Sequence, residues 1–79
     1  MKFGKRLSAE RKKHQLTSKT LAQACGVSRS YITLIETGQR LPGVHMLRKL
    51  ADVLNLQRAM VLNWYIEDVR EKTQKALES

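Results

Sequence analysis

Two short amphipathic segments separated by one glycine, Gly26, constrain this chain more than any other feature in it. The first runs over residues 17–25 and brings Leu21, Ala22 and Cys25 onto one face by i, i+1 and i+4 spacing. The second runs over residues 28–37, with Ile32 and Ile35 as its inward stripe and Val27 just ahead of them. Thr17 and Ser28 carry hydroxyls suited to accept the unpaired N–H groups of a first helical turn. Gly26 can take a positive φ without a Cβ penalty, so the first helix ends there in a tight reversal. Arg29, Ser30 and Thr33 share the outward side of the second segment at spacings of one and four. Two short helices joined by a glycine turn, with small or polar residues facing out from the second, make a helix-turn-helix.

The remaining blocks are also of helical length. Residues 3–14 repeat Phe3, Leu7 and the stem of Arg11 at spacing four, while Lys5, Lys12 and Lys13 fall on wet faces. Leu16 lies between this helix and the next as a core contact. After a loop over residues 38–43, a fourth helix is predicted over about 44–54, with Val44, Leu47, Leu50, Ala51 and Leu54 as its apolar face. Asn55 tolerates the left-handed conformation and marks its end. The last block, from about Gln57, carries Val61, Leu62, Trp64, Tyr65, Ile66, Val69 and finally Leu77. Its end, from Glu67 onward, is mostly polar and is expected to fray. Gly4, Gly26, Gly38, Pro42 and Gly43 read as the breakers between blocks, and no alternating strand pattern is present. The expectation is an all-α bundle of about five helices. Seventy-nine residues suffice for one core. Residues 1–56 form the helix-turn-helix core, and residues 57–79 form a C-terminal helix that completes it.

Charge divides the chain unevenly. Residues 1–49 hold eleven Lys and Arg against Glu10 and Glu36, a net of +9. Residues 50–79 hold four against five acids, a net of −1, which together make the overall +8. A basic front joined to a near-neutral back suggests that one surface meets a polyanion and the other does another job. The single cysteine, Cys25, excludes a disulfide framework within the chain. No apolar run approaches membrane-spanning length and no secretory stretch opens the chain, so the expected location is the cytoplasm.

The chemistry of the second helix points to double-stranded DNA. The major groove admits one α-helix and displays a distinct set of donors and acceptors for each base pair. Arg29 lies in the first turn, where its fork can donate two bonds to guanine O6 and N7; Ser30 and Thr33 would make hydroxyl contacts or touch a thymine methyl. Ser18 and Ser28 lie at helix starts whose free N–H groups suit phosphate oxygens. Lys19, Gln39, Arg40 and His45 would extend that phosphate track. Tyr31 has two readings, against the sugar-phosphate backbone or over the core.

The ordered set Leu21-Ala22, Gly26-Val27-Ser28, Ile32, Ile35-Glu36, Gly38 and Pro42 resembles the Cro/C1-type helix-turn-helix family of phage and bacterial regulators. The resemblance extends over about residues 3–56 and implies a lambda-repressor-like fold. It also implies that Ser28 caps the recognition helix, that Arg29, Ser30 and Thr33 face bases, and that residues 37–40 approach phosphates. It further implies that Arg11 pairs with Glu36, although on residue type alone both read as surface charges. The chain departs from the family pattern at Ser18, where many relatives have glutamine, and at Thr20, where an acid is usual. It departs again at Gly43, a common hydroxyl cap, and at Asn55, a frequent glycine. An operator sequence therefore does not transfer from relatives.

One recognition helix covers only a few base pairs, so a two-fold homodimer on paired half-sites is expected. Residues 57–70 are its natural seam, through Val61, Leu62, Trp64, Tyr65, Ile66 and Val69. The same segment has a plainer role in completing the core, and the alternative reading of the chain is an antitoxin-like or other protein-interaction module that uses this helix, with DNA binding secondary or absent. Catalysis is not expected. His14 and His45 have no Cys or carboxylate at useful spacing, Asp52, Glu67 and Asp68 read as solvated helix charges, and no base adjoins Ser28 or Ser30. Cys25 reads as an inert packing residue. No metal, small ligand or cofactor is implied. RNA is disfavoured because a recognition helix fits the narrow A-form major groove poorly. Occupancy alone can repress a promoter, so repression is the expected sign of regulation.

Overall fold

The computed structural model describes residues 2–79, which form five α-helices and no strand. They are α1 (Phe3–Lys13), α2 (Ser18–Cys25), α3 (Arg29–Glu36), α4 (Val44–Val53) and α5 (Arg58–Glu78). One core receives side chains from every helix. Phe3 and Leu7 come from α1, Leu21, Ala22 and Cys25 from α2, and Ile32 and Ile35 from α3; Met46, Leu50 and Ala51 come from α4 and Val61 from α5. Leu54, just beyond α4, is wholly buried among them.

Gly4 does not break a helix. It lies inside α1 and is buried, and a Cβ built on it would fall 2.4 Å from the Ile35 carbonyl oxygen and 2.5 Å from that of Glu36. The absent side chain lets α1 close onto the C-terminal end of α3, so this glycine serves packing rather than punctuation.

The apolar face of α4 is rotated from its predicted position. Val44 is 77% exposed, whereas Met46, outside the predicted face, is 6% exposed and in the core. At about 100° per residue the buried Met46, Leu50, Leu54 and Ala51 span an arc of about 140°, with Met46 at one edge and Val44 about 20° past the other, at Ala51. Val44 is also the first helical residue, with no earlier turn beside it. Asn55 ends this region with φ +53°, as its residue type suggests. Gln15 takes φ +58° between α1 and α2, a bend that its sequence does not advertise. Beside it, the His14 ring donates from Nε2 to the Leu54 carbonyl at 2.7 Å and ties the ends of α1 and α4 together.

Two expectations for the C-terminal segment are corrected. It does not fray after Glu67: α5 runs unbroken for 21 residues to Glu78. Good helix formers dominate its last turns, and i,i+4 contacts brace them. These are Lys72–Asp68 at 3.5 Å, Lys75–Glu71 at 3.5 Å and Gln74 to Glu78 at 3.3 Å. Nor is Asp68 solvated, for it is 2% exposed. Its Oδ2 accepts the Phe3 backbone N–H at 3.3 Å, at the start of α1, where Lys2 offers no side-chain cap. A carboxylate from α5 thus satisfies a first-turn donor of α1 and lies at the favourable end of that helix dipole. The apolar spacing of α5 cannot announce this, because the carboxylate's partner is 65 residues away.

α5 therefore belongs to the core as well as to the surface. Tyr65 meets Phe3 edge-on with ring centroids 6.2 Å apart, and Arg6 lies over the Trp64 ring at 5.4 Å. Arg6 also pairs with Glu67, and Arg58 with Asp52, each at 3.2 Å. Val61, expected at an intermolecular seam, is only 3% exposed and packs inside its own chain. Leu62 and Ile66 are the exposed members of that set, at 49% and 51%, while Trp64, Tyr65 and Val69 are half-buried.

Candidate nucleic-acid interface

The α2-turn-α3 unit is built by short-range bonds. Thr17 Oγ1 accepts the Thr20 N–H at 3.0 Å and lies 2.8 Å from the Thr20 hydroxyl, a contact between the two side chains rather than the return bond to the Thr17 N–H that an acid at position 20 would make. Gly26 has φ +70° and ψ +31°, the left-handed conformation the turn requires. The Val27 N–H then returns to the Ala22 carbonyl at 3.0 Å. Ser28 Oγ accepts the Tyr31 N–H at 3.1 Å and starts α3.

Packing sets which face of α3 remains free. Ile32 and Ile35 are essentially unexposed, at 0% and 1%. Arg29, Ser30 and Thr33 are exposed on the other side. The Thr33 hydroxyl donates to the Arg29 carbonyl at 3.2 Å, which occupies its proton and leaves its methyl and its lone pairs for other contacts. Leu34 joins Arg29, Ser30 and Thr33 around one shallow hollow, and the sequence reading did not single it out. The i,i+4 relation between Ser30 and Leu34 was the available signal.

α1 fixes the far end of α3. Arg11 makes a two-pronged contact with Glu36, Nε to Oε2 at 2.7 Å and Nη2 to Oε1 at 3.1 Å. Its Nη1 donates to the Leu16 carbonyl at 2.8 Å. The hydrogen bond to Glu36 holds the Arg11 pKa above its ordinary value, with desolvation opposing it. The planar fork matches the carboxylate in both position and charge.

Two hollows flank the outward face of α3. One is lined by Arg11, Leu16, Thr17, Ser18, Lys19 and Arg29, which brings the start of α2 beside the start of α3. The other is lined by Val27, Ser28, Tyr31, Arg40, His45, Met46 and Lys49. Tyr31 is half-buried and packs on the core, which is one of its two expected settings, and the Arg40 guanidinium lies 5.1 Å from its ring centroid. Gln39 is exposed beside Arg40. Lys49, absent from the sequence-based set, donates to the Cys25 carbonyl at 3.3 Å and brings a cation to this hollow. The Cys25 thiol is 2% exposed, and burial pushes its pKa up against the opposing charge of Lys49. Among the described residues no cluster of His, Cys, Asp or Glu could hold a metal ion, and no helix is long and apolar enough to cross a membrane.

This arrangement of caps, turn, buried brace and free polar face matches the family described as Helix-turn-helix over residues 7–59. The chain belongs to that family. It is 41% identical over 54 residues to an uncharacterized HTH-type transcriptional regulator, YazB, of Bacillus subtilis, a match covering 68% of this chain and 78% of YazB. It is 33% identical over 70 residues to the ImmF control region 10 kDa protein of Bacillus phage phi105, covering 89% of this chain and 78% of that protein. Among solved structures, the restriction-modification controller protein C.AhdI from Aeromonas hydrophila superimposes with a TM-score of 0.71 at 36% identity, over 75% of this chain and 89% of that one. The P22 c2 repressor in complex with a synthetic operator gives a TM-score of 0.75 at 26% identity, over 81% and 97%. The fold is thus the lambda-repressor-like bundle, and the family is one of Cro/C1-type, DNA-binding transcriptional regulators rather than enzymes.

Proposed function

We propose that this regulator binds double-stranded DNA in a sequence-specific way, as a homodimer on a palindromic operator, and represses by occupancy. The observation that carries the reading is the division of α3 into a wholly buried side, Ile32 and Ile35, and an exposed side bearing Arg29, Ser30 and Thr33. Arg29 reads guanine through its fork, with Ser30 and Thr33 beside it. Ser18, Lys19, Ser28, Tyr31, Arg40 and His45 line the flanking hollows, Gln39 lies in the loop beside Arg40, and together they hold phosphates on either side. DNA complexes of the P22 c2 repressor and of SinR, the latter with a TM-score of 0.71 at 30% identity, support this mode.

The homodimer is assigned to the outer side of α5. Leu62 and Ile66 are exposed there, Met60 is 36% exposed, and Val44 of α4 adjoins an apolar groove with Leu47, Val61 and Leu62. The near-neutral charge of residues 50–79 lets two copies approach without the repulsion their basic fronts would impose. Light scattering at micromolar concentration is expected to give twice the mass of the chain. A monomer both free and on DNA would sink this part.

Base reading is tested by selecting bound sequences from a random DNA pool. The wild type is expected to enrich a two-fold symmetric sequence with guanine in each half. Arg29→Ala is expected to relax that position, a loss of about 1–3 kcal/mol of discrimination. An unchanged preferred sequence would remove Arg29 from base recognition.

A further inference from the structure

We infer that Leu34 reads the 5-methyl group of a pyrimidine in the major groove, one or two base pairs from the guanine contacted by Arg29. This rests on α3 being the groove-entering helix. Leu34 is half-buried but is not among the described side chains packed against the core, whereas its neighbours Ile32 and Ile35 are. It lines the outward hollow with Arg29, Ser30 and Thr33. An apolar side chain of that size on the free face of a binding helix has surface to bury only against the partner.

The major groove offers one apolar feature, the C5 methyl of thymine or of 5-methylcytosine. Leucine has no hydrogen-bonding group, so it cannot distinguish the polar edges of the bases. Thr33 reinforces this chemistry, because its hydroxyl proton is engaged by the Arg29 carbonyl. The face therefore has a polar first turn, Arg29 and Ser30, and a more apolar second turn, Thr33 and Leu34. Leu34 lies five residues after Arg29, about 7.5 Å along the helix, and base pairs are about 3.4 Å apart, which sets the offset at no more than about two steps.

The test uses the full chain and the sequence enriched from a random pool. Each thymine of that sequence is replaced in turn by deoxyuridine, which removes only the methyl group. At one thymine per half-site, affinity is expected to fall about four-fold, the worth of one buried methyl. When that thymine is replaced by cytosine or by 5-methylcytosine, the methylated base is expected to bind about four-fold more tightly than the unmethylated one. Leu34→Ala and Leu34→Gln are expected to abolish both differences, and Leu34→Met, which keeps the apolar bulk, to retain them. Circular dichroism checks that each variant is helical. Enrichment of a sequence with no methyl-sensitive position, or an undiminished methyl effect in a folded Leu34→Ala, would overturn the role of Leu34 and leave the interface intact. Failure to enrich any sequence would overturn both.

Discussion

α3 and α5 both turn a face away from the core, and they are held by opposite means. α3 has eight residues, a serine cap, and two wholly buried isoleucines. Its C-terminal end is gripped by α1 twice, through the close approach at Gly4 and through the Arg11–Glu36 pair. α5 has 21 residues and no side-chain cap at its start, and only Val61 and Asp68 along it are fully buried. The short helix is capped at its start and gripped by α1 at its end, so its exposed groups have a defined position. The long helix is anchored at a few points and exposes Leu62 and Ile66. A base-reading helix requires that fixed geometry, since hydrogen bonds to base edges tolerate little displacement. An apolar self-association surface tolerates more, because burial is roughly proportional to area and has no preferred direction. α1 is common to both arrangements, with its start capped by Asp68 and its Gly4 and Arg11 against α3.

The largest expected effect would break the α3 side of this contrast. Gly4→Ala places a Cβ against two backbone carbonyls that cannot rotate away, so more than about 3 kcal/mol of stability should be lost. Urea denaturation measures it; near-wild-type stability would show that α1 can shift without cost. Next is Glu36→Ala, which leaves the Arg11 guanidinium part-buried without its carboxylate and should cost about 2–3 kcal/mol. The paired Arg11→Met, Glu36→Leu variant is expected to recover much of that loss, because the pair confers alignment more than net stability.

On the α5 side, Asp68→Ala removes the external cap of α1 and should cost about 1–2 kcal/mol. Amide exchange should rise at Phe3 and along residues 64–78 before it rises in α3. Equal acceleration in α3 would show that the two regions are not separable. The smallest effect on stability is expected from Leu62→Glu with Ile66→Glu, within about 0.5 kcal/mol for the monomer. The same pair of charges should abolish self-association in light scattering. A dimer that survives it would move the seam elsewhere.

Legibility followed sequence distance. The caps at Thr17 and Ser28, the reversal at Gly26 and the buried Ile32 and Ile35 are local, since each is set by residues within about four positions. The exposed placement of Arg29, Ser30 and Thr33 follows from the same periodicity, and so does the rest of the helix-turn-helix. Leu34 was passed over because an apolar residue next to a buried stripe reads as its margin, and spacing alone does not separate a margin from a free face. Val44 and Met46 exchanged places for the same reason, at the edge of an arc where the neighbouring helix decides which side chain is covered.

The amino-acid sequence alone determined where α2 and α3 start and stop, which of their sides face inward, and that the positive charge lies toward one end of the chain. Each of these depends on residues one or two helical turns apart, or on a count of charges. Tertiary structure alone decided that Gly4 is a contact rather than a break, that Asp68 is buried as the cap of a helix 65 residues away, and that Val61 belongs to its own core. Those outcomes depend on the distance and angle between helices remote in sequence, which periodicity within one helix does not encode.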